Sequence, residues 1–278
     1  MRPLGSGVVS SLAGRVAVVT GGSRGIGRAI ALRLAADGAD CALTYRQHEG
    51  DAQAAAAEIE ALGRRAITVR LDLGEPAEVA PAFERIGEAY GRVDILVASA
   101  AATAFRPMLE QKPHNVRRTL AISIESFVAA VQGAARLMAG PGRIIAISGI
   151  DSFQGMTGHG MLGAAKAGVE SLVRTLALEL GPRGITVNGV NPGFIETDSS
   201  RYYVEQGLGR DYAEATAGLR AATPVRRLGT VEDVASLVAY LASDAAGFLT
   251  GQTLVLVGGL TIVSPLTRLV EGGRGGAP

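Results

Sequence analysis

Seven short runs rich in β-branched residues, at residues 16–20, 42–45, 67–71, 95–97, 144–148, 185–190 and 253–257, alternate with long stretches rich in alanine and leucine. Most of the runs are apolar along much of their length, which is the pattern of a strand buried on both faces. The stretches between them are long enough for the crossover helices that parallel strands require. Three of these stretches stop at Gly38, Gly63 and Gly91, where a left-handed residue would end a helix. The alternation predicts an α/β fold: a doubly wound, seven-stranded parallel sheet with helices on both faces. At 278 residues the chain can build one core around such a sheet. Residues 14–260 are expected to form a single domain, with 1–13 and 261–278 as terminal extensions, the latter ending in a glycine-rich run. Thr230 followed by Asp233 reads as a capping box that starts the last helix.

The first strand runs directly into Thr20-Gly21-Gly22-Ser23-Arg24-Gly25-Ile26-Gly27 and then into a helix expected over residues 28–37. In this setting three glycines have distinct steric roles. Gly21 makes the tight turn, Gly25 lets the backbone approach a diphosphate, and Gly27 lets helix and strand pack closely. The helix start offers unpaired N–H groups and a positive dipole end to the same diphosphate. A Rossmann-type dinucleotide site is therefore expected around Gly21, Ser23, Arg24, Gly25, Ile26 and Gly27. A site that prefers NAD places a carboxylate at the end of the second strand. This chain has Tyr45-Arg46-Gln47 there, and Arg46 with Arg24 would pair with a 2′-phosphate. The expected cofactor is NADP(H).

On these motifs residues 14–259 resemble the short-chain dehydrogenase/reductase family. The likeness rests on T-G-x-x-x-G-x-G at 20–27, on Asp72-Leu73 after the third strand, and on Pro192-Gly193-Phe194-Ile195-Glu196-Thr197 after the sixth. It implies that Asp72, with Leu73, holds the adenine, and that Pro192, Gly193, Ile195 and Thr197 hold the nicotinamide end. The family's N-N-A-G appears as Ala98-Ser99-Ala100-Ala101, with Ala98 still expected against the cofactor. Residues 100–108 and the spacing around Lys166 are similar to the enoyl-acyl carrier protein reductases of this fold.

The resemblance also implies a tetrad of asparagine, serine, tyrosine and lysine. Lys166 matches the lysine and is expected to grip the nicotinamide ribose. The tyrosine position, four residues earlier and one helical turn away, holds Leu162; the serine position holds Gly149, beside Ser148; the asparagine position holds Ser123. Enoyl reductases of the family carry their tyrosine seven residues before the lysine, where this chain has His159. Imidazole is a competent acid near neutral pH. Lys166, His159, Ser148 and Ser123 are the candidate catalytic residues. The polar segment 194–229 is placed to cover a substrate, with Tyr202, Phe153 and Phe194 as contacts. Proton donors open to this chain are His159, a tyrosine such as Tyr202, water, or the substrate itself.

Together these features point to an NADPH-dependent reductase of a polarised carbonyl, enone or imine in a specialised metabolite. The alternatives are an inactive NADP-binding sensor or subunit, and a non-redox lyase or isomerase on the same fold. Composition narrows the partners. The balance of 27 basic and 26 acidic residues argues against nucleic acid and anionic membranes, so a small molecule is expected. One cysteine, Cys41, allows no intrachain disulfide and reads as a buried thiol. No metal site is expected, nor a stretch apolar enough to cross a bilayer, and the chain reads as cytoplasmic. The resemblance implies a homo-oligomer, with a tetramer preferred, through helices expected at 124–138 and 161–180.

Overall fold

A computed structural model describes residues 12–100 and 104–264. Most of both terminal extensions and Ala101 of the segment after the fourth strand lie outside the described residues. The seven expected strands form: β1 (Val16–Thr20), β2 (Asp40–Tyr45), β3 (Ala66–Arg70), β4 (Ile95–Ala98), β5 (Arg143–Ile147), β6 (Thr186–Pro192) and β7 (Thr253–Leu256). They make one parallel sheet in the order 3-2-1-4-5-6-7. The order reverses between β1 and β4, and in such sheets a crevice opens at that point beyond the strands' carboxyl ends.

Period two inside the apolar runs distributes side chains between two cores. Ala17, Val19, Ile95, Val97, Ile145 and Ile147 point to the layer of α1 (Gly25–Ala36), α2 (Glu49–Ala61) and α9 (Val231–Ala242). Val18, Leu96, Ile144 and Ala146 point to the opposite layer, made by α3 (Val79–Tyr90), α5 (Ser126–Leu137) and α6 (Gly160–Leu180). Each fully buried Val, Leu or Ile in these layers contributes about 1.5–3 kcal/mol.

The glycines expected to end helices, Gly38, Gly63 and Gly91, all take positive φ. Two helix starts differ from the sequence-based expectation. α1 begins at Gly25 rather than Arg28: the helix starts on the last glycines of the turn, with Arg24 extended and Gly25 taking a positive φ. The helix expected from residue 124 begins with α4 (Pro113–Leu120), whose Pro113 takes the N-terminal position that suits proline, and passes through a π turn at Ala121–Glu125 into α5. That joined helix, Pro113–Leu137, is long and apolar enough to cross a membrane, contrary to the expectation that no stretch would be. Its apolar face is used otherwise: Phe127, Ala130, Val131 and Ala134 are buried in the core beneath the sheet.

The segment expected to cover a substrate folds as α7 (Asp198–Tyr202), a π turn at Tyr203–Gly207, and α8 (Tyr212–Ala222). The capping box at α9 is present: Thr230 Oγ1 accepts from Asp233 N, and Thr230 N donates to Asp233 Oδ2. Hydrogen bonding from Arg227 pulls the Asp233 carboxyl down to about 2, outweighing its partial burial. A carboxyl lowered in the fold stabilises above its unfolded pKa and loses that contribution as pH falls toward the folded value. Thr230→Ala is therefore expected to cost about 1 kcal/mol in urea denaturation at pH 7. Asp233→Asn should cost stability at pH 7 and lose most of that effect near pH 2.

Candidate active site

β1 ends at Thr20, whose Oγ1 accepts from Ser99 N (3.1 Å) and Ala100 N (3.4 Å) and so binds the glycine turn to the chain after β4. Gly22 N donates to Thr44 O (3.1 Å), tying the same turn to β2. Gly21 takes φ +67°, and a Cβ there would press on Ala100 at 3.1 Å. A Cβ on Gly27 would overlap the Gly21 carbonyl oxygen, which is the close packing that position was expected to need. Gly25 takes φ +54° and faces open space, with Thr197 Cγ2 the nearest atom at 3.9 Å from a Cβ built there.

Above this turn lies a cleft of about 360 Å³. It gathers Gly21, Ser23, Arg24, Gly25, Ile26, Gly27, Tyr45, Arg46, Asp72, Leu73 and Thr197, together with Gln47 and His48, which sequence patterns did not single out. Arg24 and Arg46 are exposed at one end. Asp72 accepts from Gly74 N (2.8 Å) and pairs with Arg118 (3.3 Å). Partial burial would raise the Asp72 carboxyl, but the Gly74 N–H, Arg118 and Arg46 together hold it below the usual range.

Beyond the cleft, Lys166 is buried and its Nζ donates to Ile147 O at 2.6 Å. Burial pushes its ammonium down to about 8, against the opposing pull of the Asp151 and Glu170 carboxylates. Lys166, Ala98 and Ser123 line a small pocket of about 20 Å³ between Leu73 and Ile147. Ser123 lies in the π turn, and among the described residues its buried hydroxyl has no hydrogen-bond partner. His159 is the N-cap of α6. Its Nδ1 lies 3.4 Å from Asp151 Oδ2 and its Nε2 3.0 Å from Tyr203 Oη. The Phe105 ring packs against both His159 and Tyr203, at 4.6 and 4.7 Å between centroids. The cleft thus carries cations and open backbone, whereas past it stands a buried lysine, and Asp151, within electrostatic reach of that lysine, begins a line of carboxylate, imidazole and phenol.

Residues 21–261 match the family model described as enoyl-(acyl carrier protein) reductase. The chain is 39% identical over 252 residues to a 1-cyclohexenylcarbonyl-CoA reductase of Streptomyces collinus, covering 90% of this chain and 88% of that one. It is 38% identical over 252 residues to the 3-oxoacyl-[acyl-carrier-protein] reductase of Escherichia coli, at 90% and 98% coverage. The chain is a short-chain dehydrogenase/reductase. A solved structure of a short-chain dehydrogenase from Burkholderia cenocepacia in complex with NADP superposes with a TM-score of 0.82 at 38% identity, covering 90% of this chain and 99% of that one.

Other residues expected at the site of this dehydrogenase/reductase have side chains engaged as follows. Ser148 Oγ donates to Glu170 Oε1 (2.6 Å), which also accepts from Ser152 (2.8 Å) and Asn191 (2.7 Å), so its hydroxyl is held within a polar cluster. The Ile195 side chain belongs to the hydrophobic core, and Pro192 is the buried last residue of β6. Gly193 and Phe194 line a separate cavity of about 120 Å³, with the Phe194 ring 6.3 Å from Tyr212. Thr197 lines the cleft but uses its hydroxyl to cap α7, accepting from Ser200 N. Phe153 is exposed, and Tyr202 is 70% exposed. Tyr203, one position on, is the tyrosine that reaches His159. Asp151, Phe105 and Glu170 were not singled out from sequence; Tyr203 stood among the tyrosines of segment 194–229, of which Tyr202 was preferred, and Asp151 lies two residues after the expected serine position.

The depressed ammonium of Lys166 makes stability depend on pH. Its folded value of about 8 lies below the ordinary lysine value of 10.5, so the fold penalises the ammonium below pH 8 and sheds that penalty as pH rises toward 10.5. Stability of the wild type relative to Lys166→Met is expected to increase between about pH 7.5 and 10, measured by urea denaturation. A difference independent of pH would mean that Lys166 is not desolvated.

Proposed function

We propose that this chain is an NADPH-dependent reductase of a small substrate whose reacting carbon is already polarised, with proton delivery that does not use the family's tyrosine and serine. The observation that carries the reading is the cleft floored by Gly21, Gly25 and Gly27, with Arg24 and Arg46 at one end and Lys166 past the other. The residues present fit the dinucleotide. Gly25 leaves the start of α1 unobstructed for a diphosphate, which the N–H groups of the turn would hold. Arg24 and Arg46 would grip a 2′-phosphate, and Asp72 the adenine. Lys166 keeps two donors beyond its bond to Ile147 O for the nicotinamide ribose. The NADP-bound relative from Burkholderia supports the same assignment. When bound, the nicotinamide supplies the hydride, and the protein supplies orientation and charge stabilisation.

We read Leu162 and Gly149 as the tyrosine and serine positions of the family. Leu162 cannot donate a proton, and Gly149 offers no hydroxyl to an oxyanion. A carbonyl reduction that leans on both groups is poorly served, whereas an α,β-unsaturated acyl thioester needs its proton at a carbon or enolate placed differently. The name of the Streptomyces collinus relative favours that class of substrate. Loss of the same two side chains also suits a cofactor-binding sensor or subunit. The reductase is preferred because Lys166 and Ser123 remain gathered at the nicotinamide end, which a sensor of the adenosine half would not need. By the family resemblance we further propose a homotetramer; Leu178, 81% exposed on α6, supports contact between copies.

Replacing Arg24 and Arg46 together by alanine is expected to weaken NADPH binding about 10- to 100-fold and leave NADH binding nearly unchanged. Fluorescence titration with both nucleotides measures this. Nicotinamide absorbance should show the wild type oxidising NADPH faster with a 2-enoyl thioester than with a 3-oxoacyl thioester. Binding of NADPH with no oxidation by any enone, carbonyl or imine would favour the sensor. Sedimentation at micromolar concentration is expected to give a tetramer.

A further inference from the structure

We propose that Tyr203, carried on the segment that covers the site, delivers the proton to the substrate, and that His159 and Asp151 form the relay behind it. The proposal rests on the reductase reading above. Tyr203 Oη is 3.0 Å from His159 Nε2, and the opposite ring nitrogen faces Asp151 Oδ2 at 3.4 Å. The histidine and aspartate side chains are only 12% and 8% exposed. A carboxylate only accepts, so it holds the proton of the neutral ring on Nδ1 and leaves Nε2 to exchange a proton with the phenol.

Four further observations support the relay. A Cβ on Gly149 would lie 2.7 Å from Asp151 Oδ1, so the Asp151 carboxylate occupies the space into which a serine at that position would project. Phe105 packs on both rings and holds the His159 and Tyr203 side chains against each other. Burial also raises the Tyr203 phenol above its ordinary value, keeping it protonated as a donor. Tyr203 opens the π turn that follows α7, and α7 is capped by Thr197, which lines the cofactor cleft. One short helix therefore joins the cofactor cleft to the donor.

With an α,β-unsaturated thioester as substrate, the β-carbon receives the hydride from reduced nicotinamide, and the C=C electron pair moves toward the thioester carbonyl to give an enolate. As the enolate collapses, its α-carbon takes the Tyr203 proton and the O–H bond breaks. A solvent proton then enters at Nε2 of the neutral His159 ring, the phenolate takes it from there, and the ring is left as before with Nδ1–H against Asp151. The substrate thereby gains one hydride, which carries both electrons, and one solvent-derived proton.

Tyr203→Phe keeps the ring that packs on Phe105 and removes only the hydroxyl. Single-turnover oxidation of NADPH by crotonyl-CoA is expected to slow by about 10²-fold or more, with the NADPH Kd unchanged. His159→Gln should slow the same step, and the double variant should be no slower than the slower single, because the groups act as one unit. In the protein without substrate, the ¹⁵N spectrum of His159 should show the Nδ1–H tautomer, and Asp151→Asn should shift it. A Tyr203→Phe rate equal to wild type, additive losses in the double variant, or an Nε2–H tautomer in the wild type would each overturn the relay while leaving the reductase standing. A wild type that binds NADPH and oxidises none with crotonyl-CoA or the other polarised substrates would remove the reductase reading and the relay together.

Discussion

A sheet whose seven strands all run parallel has its carboxyl ends on one edge, and nearly everything chemical in this molecule sits there. β1 delivers the glycine turn, β2 delivers Tyr45 and Arg46, β5 leads to Gly149 and Asp151, and β6 leads to Thr197 and the covering segment. The burial of both faces makes that arrangement rigid. β1, β5 and β6 have no exposed residue, so a shift of any strand by one position would exchange the two cores. The crevice exists because neighbouring connections leave to opposite faces between β1 and β4.

The crevice is electrostatically divided. The end beside the glycine turn is open, with Arg24, Arg46 and the Asp72–Arg118 pair in reach of solvent, where charges are inexpensive and adaptable. Past the cleft Lys166 is buried. There burial depresses the Lys166 ammonium, and Asp151 lies close enough to oppose that depression while also facing His159. A second polar cluster, Glu170 with Ser148, Ser152 and Asn191, lies one helical turn further along α6 and absorbs the serine that stands beside the expected catalytic position. Cys41 shows the same logic without function: burial, assisted by Asp40, raises its thiol to about 12 and leaves it unreactive.

What could be read from the sequence was whatever is decided within about a dozen residues. The turn from Thr20 to Gly27 states its own geometry, since strand, turn and helix follow without interruption and its glycines have steric reasons visible in the fold. The capping box at Thr230 and the glycine stops at Gly38, Gly63 and Gly91 are equally local. So was the family, because its motifs are spaced along one chain.

Only the tertiary structure decided what fills the catalytic end. Tyr202 and Tyr203 are neighbours in sequence, but a step of about 100° along a helix separates their directions, and one faces solvent while the other meets His159. Whether Ser148 or Asp151 faces the crevice depends on how the turn after β5 crosses the start of α6, where Gly163 admits the Asp151 backbone to a distance no side chain would allow. Ile195 lies in the motif expected around the nicotinamide, yet its side chain turns into the core and packs against the distant Gly229. The sequence determined the sheet, the cofactor turn and the family. The meeting of Asp151, His159, Tyr203 and Phe105 was decided by loop paths and long-range packing, whose energies are set by residues far apart in the chain.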